Sequence, residues 1–331
     1  MKKKIIFKCT AVCFTLLFLT LHVISAGLAG EFTFVTEWGQ QTPDPNNRTE
    51  YPESFNGPTG MAIDASGTIY IADNSNQRVE KYDSDGNFIG ILTECPDISV
   101  ADIRHCSDPG EIKGPMDVAV DPTGEYVYVV TGFWDMISKF KNDGTFILSW
   151  GYDPVQNNVL ADFMREPAAL AVDEAGDVYV TDIGGSVIWK FDSEGNLLDM
   201  WTHPYASGDG FRPTGIALGK KGVYITDYLN STVHRFEYNG QLKDSWGGYD
   251  GTADGEFTYP AALDVDAEEN IFVADALNNR IQALSDSWSS YNGGIDEGSI
   301  DRPFGIVSDS SGNVYVADTW NHRILKYAFT P

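Results

Sequence analysis

Six copies of one short pattern restrict this chain more than any other feature of its sequence. Each copy opens on a proline, continues through a short apolar run and usually ends on aspartate, as in Gly57–Asp64. The opening prolines lie 43 to 57 residues apart and are Pro58, Pro115, Pro167, Pro213, Pro260 and Pro303. A repeat of this period with several strands in each unit is typical of a β-propeller. We therefore predict an all-β chain whose six units form six blades.

Every unit repeats the same order of strand and turn signals. A second apolar strand ends on aspartate, as in Ile69–Asp73, and a third strand alternates between polar and apolar residues, as in Arg323–Tyr327. A turn rich in Asp, Gly and Asn follows, as in Asp83–Asn87, and this order predicts hairpins. The fourth strand usually ends on tryptophan, and we assign this position to Trp38, Trp150, Trp201, Trp246 and Trp288.

The two ends of the chain complement each other. The sixth unit ends at Pro331 without a fourth strand, whereas Phe32–Gly39 at the start has the sequence of a fourth strand. We therefore expect the N-terminal strand to complete the last blade. This arrangement would close the ring and remove an exposed strand edge.

The units resemble the NHL repeat, a family named for an Asn-His-Leu-like triplet. Asn321–Arg323 comes close to that triplet, and Asn279–Ile281 and Asn76–Arg78 are looser copies. The Pro-x-Gly-Ile-Ala-x-Asp opening and the Val-Ala-Asp close are also features of the family. The resemblance covers residues 32 to 327 and implies one six-bladed propeller of four-stranded blades over residues 30–331. It implies little about function, because one scaffold hosts many activities.

Residues 1–29 have the pattern of a secretory signal peptide. Four lysines precede an apolar run from Cys9 to about Ile24, and small residues allow cleavage after Ala29 or, alternatively, after Ala26. An uncleaved membrane anchor is the competing interpretation, since the apolar run is nearly long enough to span a bilayer. Either way, we expect the propeller to be secreted or held at the cell surface.

The charge of the chain argues against nucleic acid as a partner. The formal net charge is −26, and the predicted leader holds four lysines and no acidic residue, so the remaining chain is more acidic still. Nucleic acid binding needs clustered cations that neutralise phosphates. A protein, peptide or carbohydrate ligand is therefore expected, and contact with a membrane only through an uncleaved anchor.

Two cysteines and two asparagines are candidates for covalent modification. Outside the leader only Cys95 and Cys106 remain, and an even number in an exported protein predicts a disulfide, with two free thiols as the alternative. Asn47 and Asn230 each begin an Asn-x-Ser/Thr acceptor for glycosylation. We expect Asn47 to be the better acceptor, because Asn230 aligns with turn residues of other units.

Aromatic residues in the loops between second and third strands are the strongest candidates for ligand binding. These loops should open on the same face as the connections between blades, and they carry Phe133, Trp134, Tyr228, Leu229 and Trp320. Phe304 begins an innermost strand near the same rim. Aromatic rings beside an axial hollow suit sugars or peptides, whereas the alternative is that they pack between blades. Arg212 and Arg302 could add a cationic rim there, or pair with an aspartate of a neighbouring blade.

Metal-dependent catalysis is the main alternative to binding. The peptide-amidating lyases resemble NHL propellers and use a zinc ion held by histidines, and gluconolactonase-like propellers use a metal held by carboxylates. Outside the leader the histidines are His105, His203, His234 and His322. Three convergent ligands are not evident among them, no Gly-x-Ser-x-Gly elbow exists, and neither calcium nor zinc has a supporting motif. We therefore favour a noncatalytic binding module without a cofactor, with a metal-dependent lyase or lactone hydrolase and a structural cell-envelope protein as alternatives.

Overall fold

A computed structural model describes the chain over residues 31–41, 53–95, 110–132, 135–151, 164–204, 210–248, 250–284, 291–295 and 300–331. Within these ranges the chain forms six four-stranded antiparallel sheets. The predicted all-β, six-bladed architecture is confirmed. The described residues contain no helix long and apolar enough to cross a bilayer.

The strands take four positions in each blade, counted outward from the axis. The inner strands are β2 (Pro58–Ile63), β6 (Pro115–Val120), β10 (Pro167–Val172), β14 (Pro213–Gly219), β18 (Pro260–Val265) and β22 (Pro303–Ser308). The second strands are β3 (Ile69–Asp73), β7 (Tyr126–Thr131), β11 (Val178–Asp182), β15 (Gly222–Asp227), β19 (Ile271–Asp275) and β23 (Asn313–Asp318). The third strands are β4 (Arg78–Tyr82), β8 (Met136–Lys141), β12 (Val187–Phe191), β16 (Thr232–Phe236), β20 (Arg280–Leu284) and β24 (Arg323–Thr330). The outer strands are β5 (Phe88–Glu94), β9 (Phe146–Gly151), β13 (Leu197–Trp201), β17 (Leu242–Gly247), β21 (Tyr291–Ile295) and β1 (Glu31–Trp38).

The N-terminal strand completes the last blade, as predicted. β1 pairs antiparallel with β24, and the sheet order is β1-β24-β23-β22. Phe32 packs against Phe272 of blade 5 and Phe329 of blade 6, with ring centroids 6.0 and 4.9 Å away. The strand therefore joins the two ends of the ring and also contributes to the hydrophobic core between the last two blades.

The turns between third and outer strands explain why glycine recurs in them. In the turn after β4, Asp83 accepts the backbone N–H groups of Asp85 and Asn87, so this segment is a hairpin turn. Gly86 in that turn has φ of 85° and lies under the ring of Trp38, where a Cβ would come within 2.7 Å of the indole. The same contact recurs between Trp150 and Gly195 and between Trp201 and Gly240. Each of these outer-strand tryptophans therefore packs on the turn of the next blade.

The prediction for Trp288 is wrong in one respect. The outer strand of blade 5 is Tyr291–Ile295 and ends on isoleucine, whereas Trp288 lies outside the described residues. Ile295 occupies the position opposite Ile281 that tryptophan holds in other blades. The prediction that a tryptophan ends the outer strand therefore does not hold in blade 5.

Threonine hydroxyls join neighbouring blades near the axis. Thr59 donates to the carbonyl of Pro115 at 3.4 Å, and Thr319 donates to the carbonyl of Pro58 at 2.7 Å. Thr214 makes the same kind of bond to Pro260 at 3.0 Å. Hydrogen bonds of this kind, two of them buried, fix neighbouring inner strands relative to one another.

Candidate functional site

The six inner strands enclose a cavity of about 460 Å³ along the axis. Its wall is mostly aliphatic and includes Ile63, Val120, Val172, Leu218, Leu263 and Ile306. Tyr259 and Phe304 border it at the end where the inner strands begin. That end lies on the loop face, the face that carries the turns between second and third strands and the connections between blades. A cavity of this volume is within the range of small-molecule sites, roughly 300 to 1,000 Å³.

Three aromatic rings from three successive blades meet at the opening of the cavity. Tyr228 follows β15, Tyr259 precedes β18, and Phe304 is the second residue of β22. The rings of Tyr228 and Tyr259 are 4.7 Å apart, and those of Tyr259 and Phe304 are 6.2 Å apart in an edge-to-face arrangement. All three side chains are partly exposed. We call these three residues the aromatic mouth.

An exposed tryptophan lies beside the aromatic mouth on blade 6. Trp320 belongs to a short 3-10 turn, Thr319–Asn321, and 54% of it is exposed. The guanidinium of Arg302 stacks over its indole, with Cζ 3.8 Å from the ring centroid. Leu229, next to Tyr228, is also exposed. The loop face of blades 4 to 6 therefore presents aromatic and apolar groups to solvent.

The other residues predicted for the site fall into two groups. Phe133 and Trp134 lie outside the described residues. Arg212 is tied to the preceding blade, since its Nη1 donates to the carbonyl of Ile183 at 2.7 Å. With Arg302 stacked on Trp320, these two arginines have separate local partners.

Asp117 is a cavity residue that the sequence reasoning missed. It lies in β6, lines the axial cavity and is partly exposed there. Its Oδ2 accepts the backbone N–H of Leu170 from the next blade at 3.1 Å. Burial raises the pKa of the Asp117 carboxyl to about 7, because an apolar wall solvates a carboxylate poorly. The signal was available: the same position is glycine or alanine in the other five units, which are Gly60, Ala169, Gly215, Ala262 and Gly305.

Asp264 is the second acidic residue lining the cavity. It lies in β18, and its Oδ2 accepts both the backbone N–H of Ser308 at 2.6 Å and the Ser308 hydroxyl at 2.5 Å. Burial raises the pKa of the Asp264 carboxyl, while these bonds from Ser308 lower it. Asp264 thus has a partner on the neighbouring inner strand, and it serves mainly to join blades 5 and 6.

The NHL repeat profile matches this chain over residues 55–82 and 301–327, in the first and last units. The chain is 28% identical over 143 residues to NHL repeat-containing protein 3 of Homo sapiens, a match that spans 42% of this chain and 36% of that protein. The chain is a six-bladed β-propeller with NHL repeats in its first and last units.

Two further similarities accompany this assignment. This NHL propeller is 29% identical over 150 residues to peptidyl-glycine alpha-amidating monooxygenase A of Xenopus laevis, over 44% of the chain and 15% of that protein. The chain therefore spans well under half the length of these relatives. A gluconolactonase from Xanthomonas campestris superposes with a TM-score of 0.60 at 15% identity, over 83% of this chain and 87% of that one. At this identity the likeness shows the fold alone.

The aspartates that end the second strands of the NHL propeller have structural partners. Asp73, Asp275 and Asp318 pair with the arginines that begin the following strands, at 3.4, 2.8 and 2.7 Å respectively. In blade 3 the indole Nε1 of Trp189 donates to Asp182 at 2.9 Å instead. Different donors satisfy the same carboxylate in different blades, so this set of aspartates belongs to the scaffold.

Blade 4 brings two histidines together, which the sequence did not indicate. The rings of His203 and His234 are 4.6 Å apart, and Nε2 of His234 is 3.6 Å from Oδ2 of Asp227. Burial and the neighbouring His234 lower the pKa of His203. Within the described ranges, no three His, Cys, Asp or Glu side chains are placed to hold a metal ion. The zinc arrangement implied by the amidating lyases therefore has no counterpart in this part of the chain.

The predicted modification sites are only partly described. Cys95 is buried at the end of β5, while Cys106 lies outside the described residues, so their disulfide stays a prediction. Asn47 also lies outside them. The side-chain amide of Asn230 donates to Oδ2 of Asp227 at 2.7 Å. Because a glycan would have to be attached to this bonded nitrogen, we continue to expect Asn47 to be the better acceptor.

Proposed function

We propose that this NHL propeller is an exported, noncatalytic binding module that holds its ligand on the loop face, over the aromatic mouth and Trp320. The observation that carries the proposal is the meeting of Tyr228, Tyr259 and Phe304 at the opening of the axial cavity. The repeat does not need an aromatic ring at the position of Tyr259, because the other five units have Gly57, Gly114, Glu166, Arg212 and Arg302 there. Partly exposed rings that scaffold packing does not require are typical of a binding surface.

The chemistry of this surface suits a peptide, a protein loop or a carbohydrate. Aromatic rings stack on sugars and pack against apolar side chains, and tyrosine hydroxyls can also form hydrogen bonds. Arg302 adds one cation next to Trp320, which can bond a carbonyl or hydroxyl of the ligand. Export is the part of the proposal that rests on the lysine-rich leader, and sequencing the N-terminus of the mature protein tests it.

The metal-dependent alternative predicts a different analytical result. A lyase or lactone hydrolase of the kind implied by the family would carry a metal ion in the axial cavity. We expect the protein purified without chelators to hold calcium and zinc well below one ion per chain. Stoichiometric metal by mass spectrometry, lost in a variant such as Asp117→Asn, would support the enzyme and contradict the binding module.

Replacing Trp320 should reduce binding while leaving stability nearly unchanged. Peptide and carbohydrate arrays supply the ligand, and its affinity is then compared between the wild type and Trp320→Ala by calorimetry. We expect a loss of about tenfold or more, the size typical of an aromatic residue in a binding surface. Because 54% of Trp320 is already exposed, the melting temperature of the Trp320→Ala variant should be no more than about 2 °C below that of the wild type.

Leu198→Ala is the matched control for that variant. Leu198 lies on the outer strand of blade 3, away from the loop face, and is 51% exposed, so its truncation removes a similarly accessible apolar group. We expect neither affinity nor stability to change appreciably. A fall of several degrees for Trp320→Ala with unchanged affinity per folded molecule would show that Trp320 is packing, and would contradict the proposal.

A further inference from the structure

The axial cavity has an unusual balance of ionisable groups. Among the described residues that line it, the ionisable side chains are Asp117, Asp264 and Tyr259, and no lysine, arginine or histidine is present. Arg302 is close in sequence to Phe304, which lines the cavity, but the guanidinium of Arg302 stacks on Trp320 and Arg302 is not part of the cavity wall. An anionic ligand would therefore meet carboxylates without any counter-charge, and the cavity disfavours it.

Asp117 is held in place but has spare capacity to accept hydrogen bonds. Its Oδ2 accepts the N–H of Leu170, and its Oδ1 lies against Gly60, where a Cβ would come within 1.9 Å of that oxygen. Glycine at position 60 thus makes room for this carboxyl between blades 1 and 3. A carboxylate can accept about four hydrogen bonds. The backbone N–H of Val118 also bonds this carboxyl. Because Asp117 is partly exposed and lines the cavity, its remaining acceptor positions can take hydrogen bonds from a ligand.

The route to Asp117 also favours a positive charge. The three rings of the aromatic mouth carry negative potential on their faces, which attracts ammonium groups by cation–π interaction. The whole chain has a formal net charge of −26, and an acidic surface draws cations toward its clefts. Beyond the mouth, the aliphatic wall formed by residues such as Val172 and Leu218 offers contacts to an apolar body.

From these observations we propose that the axial cavity binds a small organic cation, an amine on an apolar body, with its ammonium group at Asp117. The inference deepens the proposed function, since it takes the aromatic mouth as the entrance to the site. Asp117 is the binding residue for the charge, and the aliphatic wall holds the rest of the ligand.

Hexylammonium, hexanol and hexanoate are probes that separate charge from apolar contact. Titrated into the whole mature chain at pH 8, hexylammonium should bind at least about tenfold more tightly than hexanol, because a charge-assisted bond is stronger than a neutral one. Hexanoate should bind more weakly than hexanol. Equal affinities for the ammonium and the alcohol would overturn the proposal without any variant being made.

The decisive variant is Asp117→Asn, which keeps the shape of the side chain and removes its charge. We expect it to lose about tenfold in affinity for hexylammonium while its affinity for hexanol stays the same. Asp264→Asn is the matched control, since Ser308 already satisfies that carboxyl, and it should change the hexylammonium affinity less than about threefold. Retained hexylammonium binding in Asp117→Asn would contradict the assignment.

The pH dependence of the wild type gives a second test that does not depend on folding of a variant. The pKa of Asp117 is about 7, and the ionised carboxylate is the form that binds a cation. The groups packed against it, Gly60 and Leu170, do not titrate, and the other ionisable groups of the cavity are Asp264 and Tyr259. Affinity for hexylammonium should therefore rise from pH 6 to pH 8 and then level off, because the amine stays protonated throughout. A flat profile would contradict the role of Asp117.

The two proposals fail in different ways. Suppose that Asp117→Asn lowers the affinity for hexylammonium while Trp320→Ala leaves the affinity for the array ligand unchanged. The cation site is then supported and the proposed loop-face function is wrong. Suppose instead that Trp320→Ala lowers the affinity for the array ligand while the wild type binds hexylammonium no more tightly than hexanol. The loop-face function is then supported and the cation site is wrong.

Discussion

Deletion of residues 31–39 should lower the melting temperature of the propeller by more than about 10 °C, because it removes the outer strand of the last blade together with the partly buried rings of Phe32 and Trp38. The deletion exposes the edge of β24 and takes Phe32 away from Phe272 and Phe329. It also uncovers Gly86 and Tyr82 of blade 1, on which Trp38 packs. The ring would then have an open seam between its first and last blades.

Differential scanning calorimetry of the truncated and full mature chains measures this effect. Val35→Ala in the full chain is the control, since Val35 lies on the same strand with an exposed side chain and its truncation should change the melting temperature little. If the truncated chain melts within about 2 °C of the full chain, the N-terminal strand does not close the ring in solution.

Arg78→Leu should cost about 3 to 5 kcal/mol of stability, the cost of leaving a buried charge without its partner. Arg78 is fully buried, lies 3.4 Å from Asp73, pairs with Glu80 and donates to the carbonyl of Ser54 at 2.8 Å. Its removal leaves two buried carboxyls in blade 1 without a cation. Denaturant unfolding of the wild type and the variant at pH 8 measures the difference in free energy of unfolding.

The pH dependence of this variant identifies the cause of the loss. Burial raises the pKa of Asp73 to about 6 and raises that of Glu80 well above its usual value. A carboxyl with a raised folded pKa stabilises the fold less as pH rises through that range, so the loss in Arg78→Leu should shrink as pH falls from 8 to 5. Arg323→Leu is the control. The Arg323 side chain is 24% exposed, so water can solvate its partner carboxylate after the substitution, and the loss in free energy of unfolding should be smaller than for Arg78→Leu. A pH-independent loss equal in both variants would point to packing and not to charge.

The sequence predicts the fold well because the same order of strand and turn signals occurs in six successive units. Three sequence features predicted the ring that the structure contains: the opening prolines, the turns such as Asp83–Asn87, and the absence of an outer strand from the last unit. The assignment of Trp288 failed in blade 5, the unit with the shortest spacing between opening prolines, because the outer strand of that blade ends on Ile295. Periodic features were therefore predictable, and irregular segments were not.

The candidate site was only partly predictable, for a physical reason. Its members come from three blades and are brought together only when the ring closes, so no local pattern links Tyr228 to Phe304. Tyr259 was missed because it precedes a repeat proline, at a position where φ is positive in five of the six units and the residue type varies from unit to unit. Asp117 could have been found by comparing the inner strands column by column, since the other five units have glycine or alanine there.

The central claim is that the ligand binds at the loop face, over the aromatic mouth. The most direct test is to compare hydrogen–deuterium exchange of the protein with and without the array ligand. The account predicts slower exchange in peptides covering 226–230, 257–262 and 302–306, which carry the three rings. Peptides covering the turns at 83–87 and 192–196, on the opposite face, should exchange at the same rate with and without the ligand. Protection confined to those opposite turns, with the three ring-bearing segments unaffected, would contradict the account.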